Sequence, residues 1–244
     1  MAGERVATGA ADLDAMLSGG FLPNSMVLVR GAPGTGKTSL ALQFLIHGAE
    51  QGEAGLFVSF EEFPSSLYRD ARSLGWDLKR LEENGQLHFM FTSPEVFLAS
   101  LKPPDSHLNR LIYEANIHRL VLDSVSHFDR LTHDEQELRG LYTQAVNGLR
   151  REQITGLLLG EDSRFSHRRA FKGGLSFLVD AVILMRYVEI DSAMQRAILV
   201  LKMRGSTHAK EIRRYVIGTG GLTVLDTFEG HEGLLSGTPH GALP

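Results

Sequence analysis

Short apolar runs alternate with longer mixed stretches through the first two thirds of the chain. The runs at 26–29 (MVLV), 55–60 (GLFVSF), 86–91 (QLHFMF), 118–123 (HRLVLD) and 154–160 (ITGLLLG) are rich in Val, Leu, Ile and Phe. Their brevity and near-continuous hydrophobicity predict strands, most of them covered on both faces. Between them, 39–48 (SLALQFLIHG), 65–74, 107–116 and 135–151 predict helices, the first free of any breaker until its last residue. This βαβ alternation is the signature of the α/β class, a mostly parallel sheet with helices on both faces. After residue 177 strand follows strand, at 179–188, 195–204, 212–217 and 222–225, joined by short polar or glycine turns. That change of pattern predicts a C-terminal antiparallel extension at one edge of the same sheet. No linker and no internal repeat divides the chain. One domain is expected over 1–230, with 231–244, ending GTPHGALP, as a tail.

Composition narrows the chemistry. Among 244 residues, 43% are hydrophobic and 22% charged, ordinary values for a globular protein. Cysteine is absent, which excludes disulfides, thiolate zinc sites and cysteine nucleophiles and suits a reducing cytoplasm. No run approaches a membrane span, and MAGERVATG lacks an apolar signal core. A net charge of −4 argues against a generally basic nucleic-acid surface. The histidines are scattered, without the spacing of a metal-ligand cluster.

Residues 31–38 (GAPGTGKT) satisfy G-x-x-x-x-G-K-[ST], between a predicted strand and a predicted helix. Gly31, Gly34 and Gly36 let the backbone curl so that the N–H groups from Thr35 to Ser39 and the helix N-terminus face an anion. Lys37 can reach the β- and γ-phosphates, and the Thr38 hydroxyl can ligate Mg²⁺. Together these imply binding of ATP or GTP. Asp123 ends an apolar strand in the Walker B manner, where it can hold a water on the metal. Glu61 and Glu62 follow the strand 55–60 directly, on the edge of an α/β sheet where ligands gather. One can position or deprotonate a nucleophile while the other tunes it; they can equally be a solvated pair opening the next helix.

Further residues carry a family resemblance. Thr8-Gly9, Leu13-Asp14, Gly19-Gly20, Phe60-Glu61-Glu62, Gly75-Trp76-Asp77, Asp123-Ser124, 187–190 (YVEI) and 202–205 (KMRG) resemble the KaiC group of RecA-like ATPases. They are more similar to the second, kinase half of the circadian clock protein than to its first half. The departure is that those proteins carry two tandem domains. The resemblance implies a RecA-like P-loop fold, Mg²⁺-dependent ATP hydrolysis with Glu61 and Glu62 as bases, and a homo-oligomeric, hexameric ring with ATP between subunits. It also implies that Arg196, Lys202, Met203 and Arg204 meet nucleotide, with Lys202 and Arg204 acting on a neighbour's ATP. Strand alternation puts Arg196, Ile198, Val200, Lys202 and Arg204 on one face, with the last two roughly 7 Å apart. Alignment of 180–190 with the kinase half places Ser176 on its phosphoacceptor serine and Phe177 on the adjacent acceptor threonine, so the resemblance extends to a serine autokinase.

Arg164, His167, Arg168, Arg169 and Lys172 crowd into a glycine-containing loop. It reads either as an exposed loop balanced by Glu161 and Asp162 or as a nucleic-acid contact acting through counterion release. The chain is expected to be a KaiC-like ring ATPase in signalling or regulation, with regulatory protein partners and no membrane. Its alternative is a DNA-dependent recombination or repair ATPase of the RecA or RadA kind. A third is a nucleotide-loaded interaction module.

Overall fold

The computed structural model describes residues 4–161, 174–228, 231–232, 234 and 240–241. Its frame is a nine-stranded sheet in the order β3-β2-β4-β5-β1-β6-β7-β8-β9. The strands are β1 (Met26–Gly31), β2 (Ala54–Ser59), β3 (Leu87–Phe91), β4 (Ile117–Asp123), β5 (Thr155–Glu161), β6 (Ala181–Ile190), β7 (Ala193–Met203), β8 (Arg213–Gly218) and β9 (Gly221–Thr227). From β3 to β6 neighbours run parallel, and β7 to β9 continue antiparallel, as the sequence pattern predicts. A short antiparallel pair, β10 (His231–Glu232) with β11 (His240–Gly241), follows.

Two apolar layers hold the sheet. On one face α2 (Lys37–Glu50) lies with α1 (Ala11–Met16), α3 (Pro64–Ser73) and α4 (Leu78–Glu83) over Val27, Val29, Phe57, Val121 and Leu157. On the other, α5 (Pro94–Ser100), α6 (His107–Glu114) and α7 (Glu135–Arg151) cover Leu28, Leu56, Val58, Leu120 and Leu122. Successive residues of one strand thus point into different cores, the period of two that a doubly covered strand requires. Helices α1, α4 and α5 have only six or seven residues, too short for a helical period to show in sequence. The same holds for the 3₁₀ turn Val125–Arg130 and for α8 (Leu175–Leu178).

Strand β7 departs from the predicted alternation. Ile183 pairs with Val200 but Val182 pairs with Lys202, so Leu201 is an extra residue in a bulge. Val200 joins the core under α2, whereas Lys202, opposite Val182, turns to the other face. The five residues 196, 198, 200, 202 and 204 therefore do not share one face. Met203, opposite Ala181, is buried in the α2-side core.

Candidate active site

The loop after β1 closes around a backbone cradle. Gly36, at φ +93°, caps the N-terminus of α2, a conformation that L side chains rarely adopt. A Cβ at Gly36 would overlap Ile217 Cδ1, and one at Gly31 would come 2.5 Å from the Met185 carbonyl oxygen. Two tyrosines from the antiparallel extension hold the loop from outside. Tyr187 donates its hydroxyl to the Gly34 carbonyl at 2.6 Å, and buried Tyr215 donates to the Thr35 carbonyl. Those carbonyls are turned outward, while the Thr35 N–H donates to the Ala32 carbonyl at 3.3 Å. The hydroxyl of Thr35, fully buried, donates to the same carbonyl at 2.8 Å.

Lys37 curls over the cradle, its Nζ donating to the carbonyls of Gly31 (2.8 Å) and Ala32 (3.2 Å). One residue on, the Thr38 hydroxyl donates to Asp123 Oδ2 at 3.1 Å. Ser39 completes that first helical turn, half-buried. Burial pushes the Asp123 carboxyl up to about 6, against the opposing bond from Thr38; the charge of Glu62 adds to the rise, and Lys37 counters it. The strand ends meet here, with the Phe60 N–H donating to the Asp123 carbonyl and the Glu62 N–H to Ser59 Oγ at 2.9 Å. Both Glu61 and Glu62 are exposed, and Glu61 Oε2 lies 3.3 Å from Nε2 of buried His127.

The basic residues divide into two groups. Arg196 pairs with Tyr187, beyond the end of β1, and its guanidinium lies 5.7 Å from that ring. It lies beside the tyrosine that clamps its own phosphate loop. Lys202 lines up with Val182 and, through it, with Leu28; the Arg204 N–H reaches the Asp180 carbonyl, and the Asp180 N–H that of Met26. Those two cations lie beside the amino half of β1, away from the loop that follows its carboxyl end. Lys202 Nζ donates to the carbonyls of Ser176 (2.8 Å) and Val179 (2.7 Å), and Arg204 to that of Phe177 (2.6 Å). Burial lowers the Lys202 pKa, and the Arg204 charge adds to the effect.

A family model described as "ATPase: KaiC" matches residues 6–229. The chain belongs to the KaiC family. It is 37% identical over 236 residues to the circadian clock oscillator protein KaiC of Thermostichus vulcanus, covering 96% of this chain and 45% of that protein. Against the circadian clock protein KaiC3 of a Synechocystis strain the identity is 35% over 242 residues, covering 96% and 46%. The chain thus spans about half the length of the curated relatives it matches. Among solved structures, a KaiC-like protein from the hyperthermophilic archaeon Pyrococcus horikoshii OT3 superposes with a TM-score of 0.80 at 30% identity, covering 91% of this chain and 99% of that one. Both the RecA-like fold class and the family resemblance drawn from sequence are met.

In this KaiC-family chain Gly31, Gly34, Thr35, Gly36, Lys37, Thr38, Ser39 and Asp123 converge, with Glu61, Glu62 and Arg196 at the rim. Lys202 and Arg204 do not join them within one copy. Met203 presents its side chain to the core, so only its backbone is open to a ligand. Ser176 does not sit on an open loop: it lies in α8, 8% exposed, its hydroxyl buried without a hydrogen bond among the described residues. The basic loop at 164–172 lies outside the described residues. Among those, no helix is long and apolar enough to cross a membrane. Sequence reasoning passed over the hydroxyls of Tyr187 and Tyr215; for buried Tyr215 the available signal was a phenol in a strand, which needs a partner when buried.

Proposed function

We propose that this chain hydrolyses ATP with Mg²⁺ at a site completed by a second copy of itself, in a ring that is a hexamer by family resemblance. The observation that carries this reading is the Thr38 hydroxyl set against the Asp123 carboxylate at the mouth of a glycine cradle. The residues fit the group: two hard oxygen donors suit Mg²⁺, and a glycine loop running into the N-terminus of α2 suits a polyphosphate. When bound, Mg²⁺ neutralises charge on the β- and γ-phosphate oxygens.

Lys37 exchanges the carbonyls of Gly31 and Ala32 for the phosphates. The loop N–H groups grip the β-phosphate, Thr38 and Asp123 hold the metal, and Glu61 and Glu62 orient and deprotonate the attacking water. Arg196 serves its own copy's nucleotide. Lys202 and Arg204 serve the neighbour's, a division supported by their register beside the amino half of β1. Pre-mounting on the α8 carbonyls leaves the two cations little side-chain freedom to lose when an anion arrives. The same chemistry directed at Ser176 would make the chain an autokinase, and α8 must open first because the hydroxyl is buried. A signalling or regulatory role, acting on protein partners through nucleotide state, accords with the family.

The test is ATP turnover with Mg²⁺, compared with Lys37→Ala and with single-stranded DNA added. Turnover that Lys37→Ala abolishes and DNA leaves unchanged is the expected result. DNA stimulation would favour the recombination reading. Intact-mass measurement after incubation with Mg-ATP tests Ser176, the expected mark being one phosphate absent from Ser176→Ala and Lys37→Ala.

A further inference from the structure

His127 lies in the 3₁₀ turn that follows Asp123 and is 8% exposed. Its ring meets Phe60 edge-on, with centroids 5.9 Å apart, and Phe60 packs in turn on Phe97 and Phe128. At one end of the imidazole, Nδ1 lies 3.2 Å from both the hydroxyl and the carbonyl oxygen of Ser124. Ser124 therefore offers a donor and an acceptor to the same nitrogen. In the neutral ring with its proton on Nε2, the Ser124 hydroxyl donates to Nδ1. At the other end Nε2 is buried and makes no hydrogen bond among the described residues. It lies 3.3 Å from Glu61 Oε2, within reach but off the bonding direction.

In that tautomer Nε2–H is a buried donor with the Glu61 carboxylate in reach, and leaving it unpaired is costly. Glu61 is exposed and can rotate onto it. The charge of Glu62, its neighbour in sequence, bears on Asp123 instead. Two adjacent carboxylates, which sequence alone cannot tell apart, thus meet different surroundings.

We propose that His127 is a positioning residue whose Nε2–H holds the Glu61 carboxylate in place for the attacking water. The proposal rests on the ATP-hydrolysis reading above. With Oε2 held, Oε1 is left to accept the proton of the water as its oxygen bonds the γ-phosphorus and the bond to ADP breaks. Glu61 then returns the proton to the released phosphate. His127 touches neither water nor nucleotide and acts through Glu61 alone.

One experiment needs no turnover. Imidazole nitrogen NMR of the nucleotide-free protein, with the His127 signal identified by its loss in His127→Phe, should show a proton on Nε2. That signal should shift in Glu61→Ala and stay in place in Glu62→Ala. In kinetics, His127→Phe suits the aromatic surroundings and should lower kcat about tenfold, equivalent to about 1.4 kcal/mol, with KM for ATP within about twofold. His127→Gln, which keeps an amide donor, should recover part of the loss. His127→Phe combined with Glu61→Gln should be no slower than Glu61→Gln alone, whereas its effect should multiply with that of Glu62→Gln. An Nε2 signal indifferent to Glu61→Ala, an unchanged kcat, or multiplicative effects with Glu61→Gln would each overturn the proposal. Should His127→Phe fold poorly, His127→Gln carries the same cycle. A wild-type protein without turnover would defeat the ATPase reading, while the NMR result would still decide whether the pair forms.

Discussion

Asp123 carries charge at neutral pH against its surroundings. Its folded value of about 6 lies above the ordinary 3.8, because burial and the Glu62 charge outweigh the bond from Thr38. Below pH 3.8 the group is protonated folded or unfolded and contributes no penalty; stability is lost as pH rises from 3.8 through about 6, where the unfolded chain ionises first. The gap corresponds to at most about 3 kcal/mol. Asp123→Asn should therefore melt higher than wild type at pH 7.5 without nucleotide, with the difference closing towards pH 4, by circular dichroism. The same variant should lose the extra stability that Mg²⁺ adds to ATP binding in the wild type. A lower melting temperature for Asp123→Asn at pH 7.5 would mean that the carboxylate stabilises the empty site. This residue was legible in sequence, as were Lys37 and Thr38, because each sits at a fixed offset from a strand or a glycine. His127 was not, since a single histidine after a strand has the look of a core residue until its neighbours in space are known.

The antiparallel extension shapes the phosphate loop as much as β1 and α2 do. Tyr215→Phe removes the donor to the Thr35 carbonyl and leaves a buried acceptor, a loss of about 1–3 kcal/mol. A lower melting temperature and weaker ATP binding by titration are expected together. Tyr187→Phe should weaken ATP binding with a smaller change in melting, because its bond to Gly34 is exposed. Gly36→Ala should be worse than either, combining a φ of +93° with the clash on Ile217. Ile217→Val, which removes the clashing Cδ1, should restore only part of the loss, since the backbone strain stays. Equal melting of Gly36→Ala and wild type would contradict the crowding seen at this turn. Strand boundaries were legible here to within about two residues, because each run is apolar and ends in a turn residue. The bulge at Leu201 was not. LVLKMR reads as unbroken alternation, and only the pairing with β6 reveals the extra residue that turns Lys202 to the other face.

One copy holds a phosphate loop and two cations that cannot meet. Mixing Lys37→Ala with Arg204→Ala subunits should restore activity at junctions where an intact loop faces intact Lys202 and Arg204. Mixtures as inactive as either parent, while still assembling by light scattering, would refute the action between copies. At this scale the sequence conveyed the parallel-then-antiparallel order, because strand spacing changes visibly after residue 177. It misplaced Lys202 and Arg204 relative to Arg196, because facing depends on register. Register in turn depends on pairings between segments far apart in the chain.

The position of β1 between β5 and β6 has a consequence for synthesis. The strand that bears the loop is made well before its partner β6 and before Tyr215 on β8, which clamps the loop. At about 5–20 residues per second, a growing chain carries β1 for some 10–40 s before β8 appears. Until then the loop has its glycines and Lys37 but lacks the Tyr215 clamp, and a nucleotide gains little by binding. Chains stalled before Arg213 should therefore ignore ATP, whereas chains stalled past Thr227 should gain protease resistance from it.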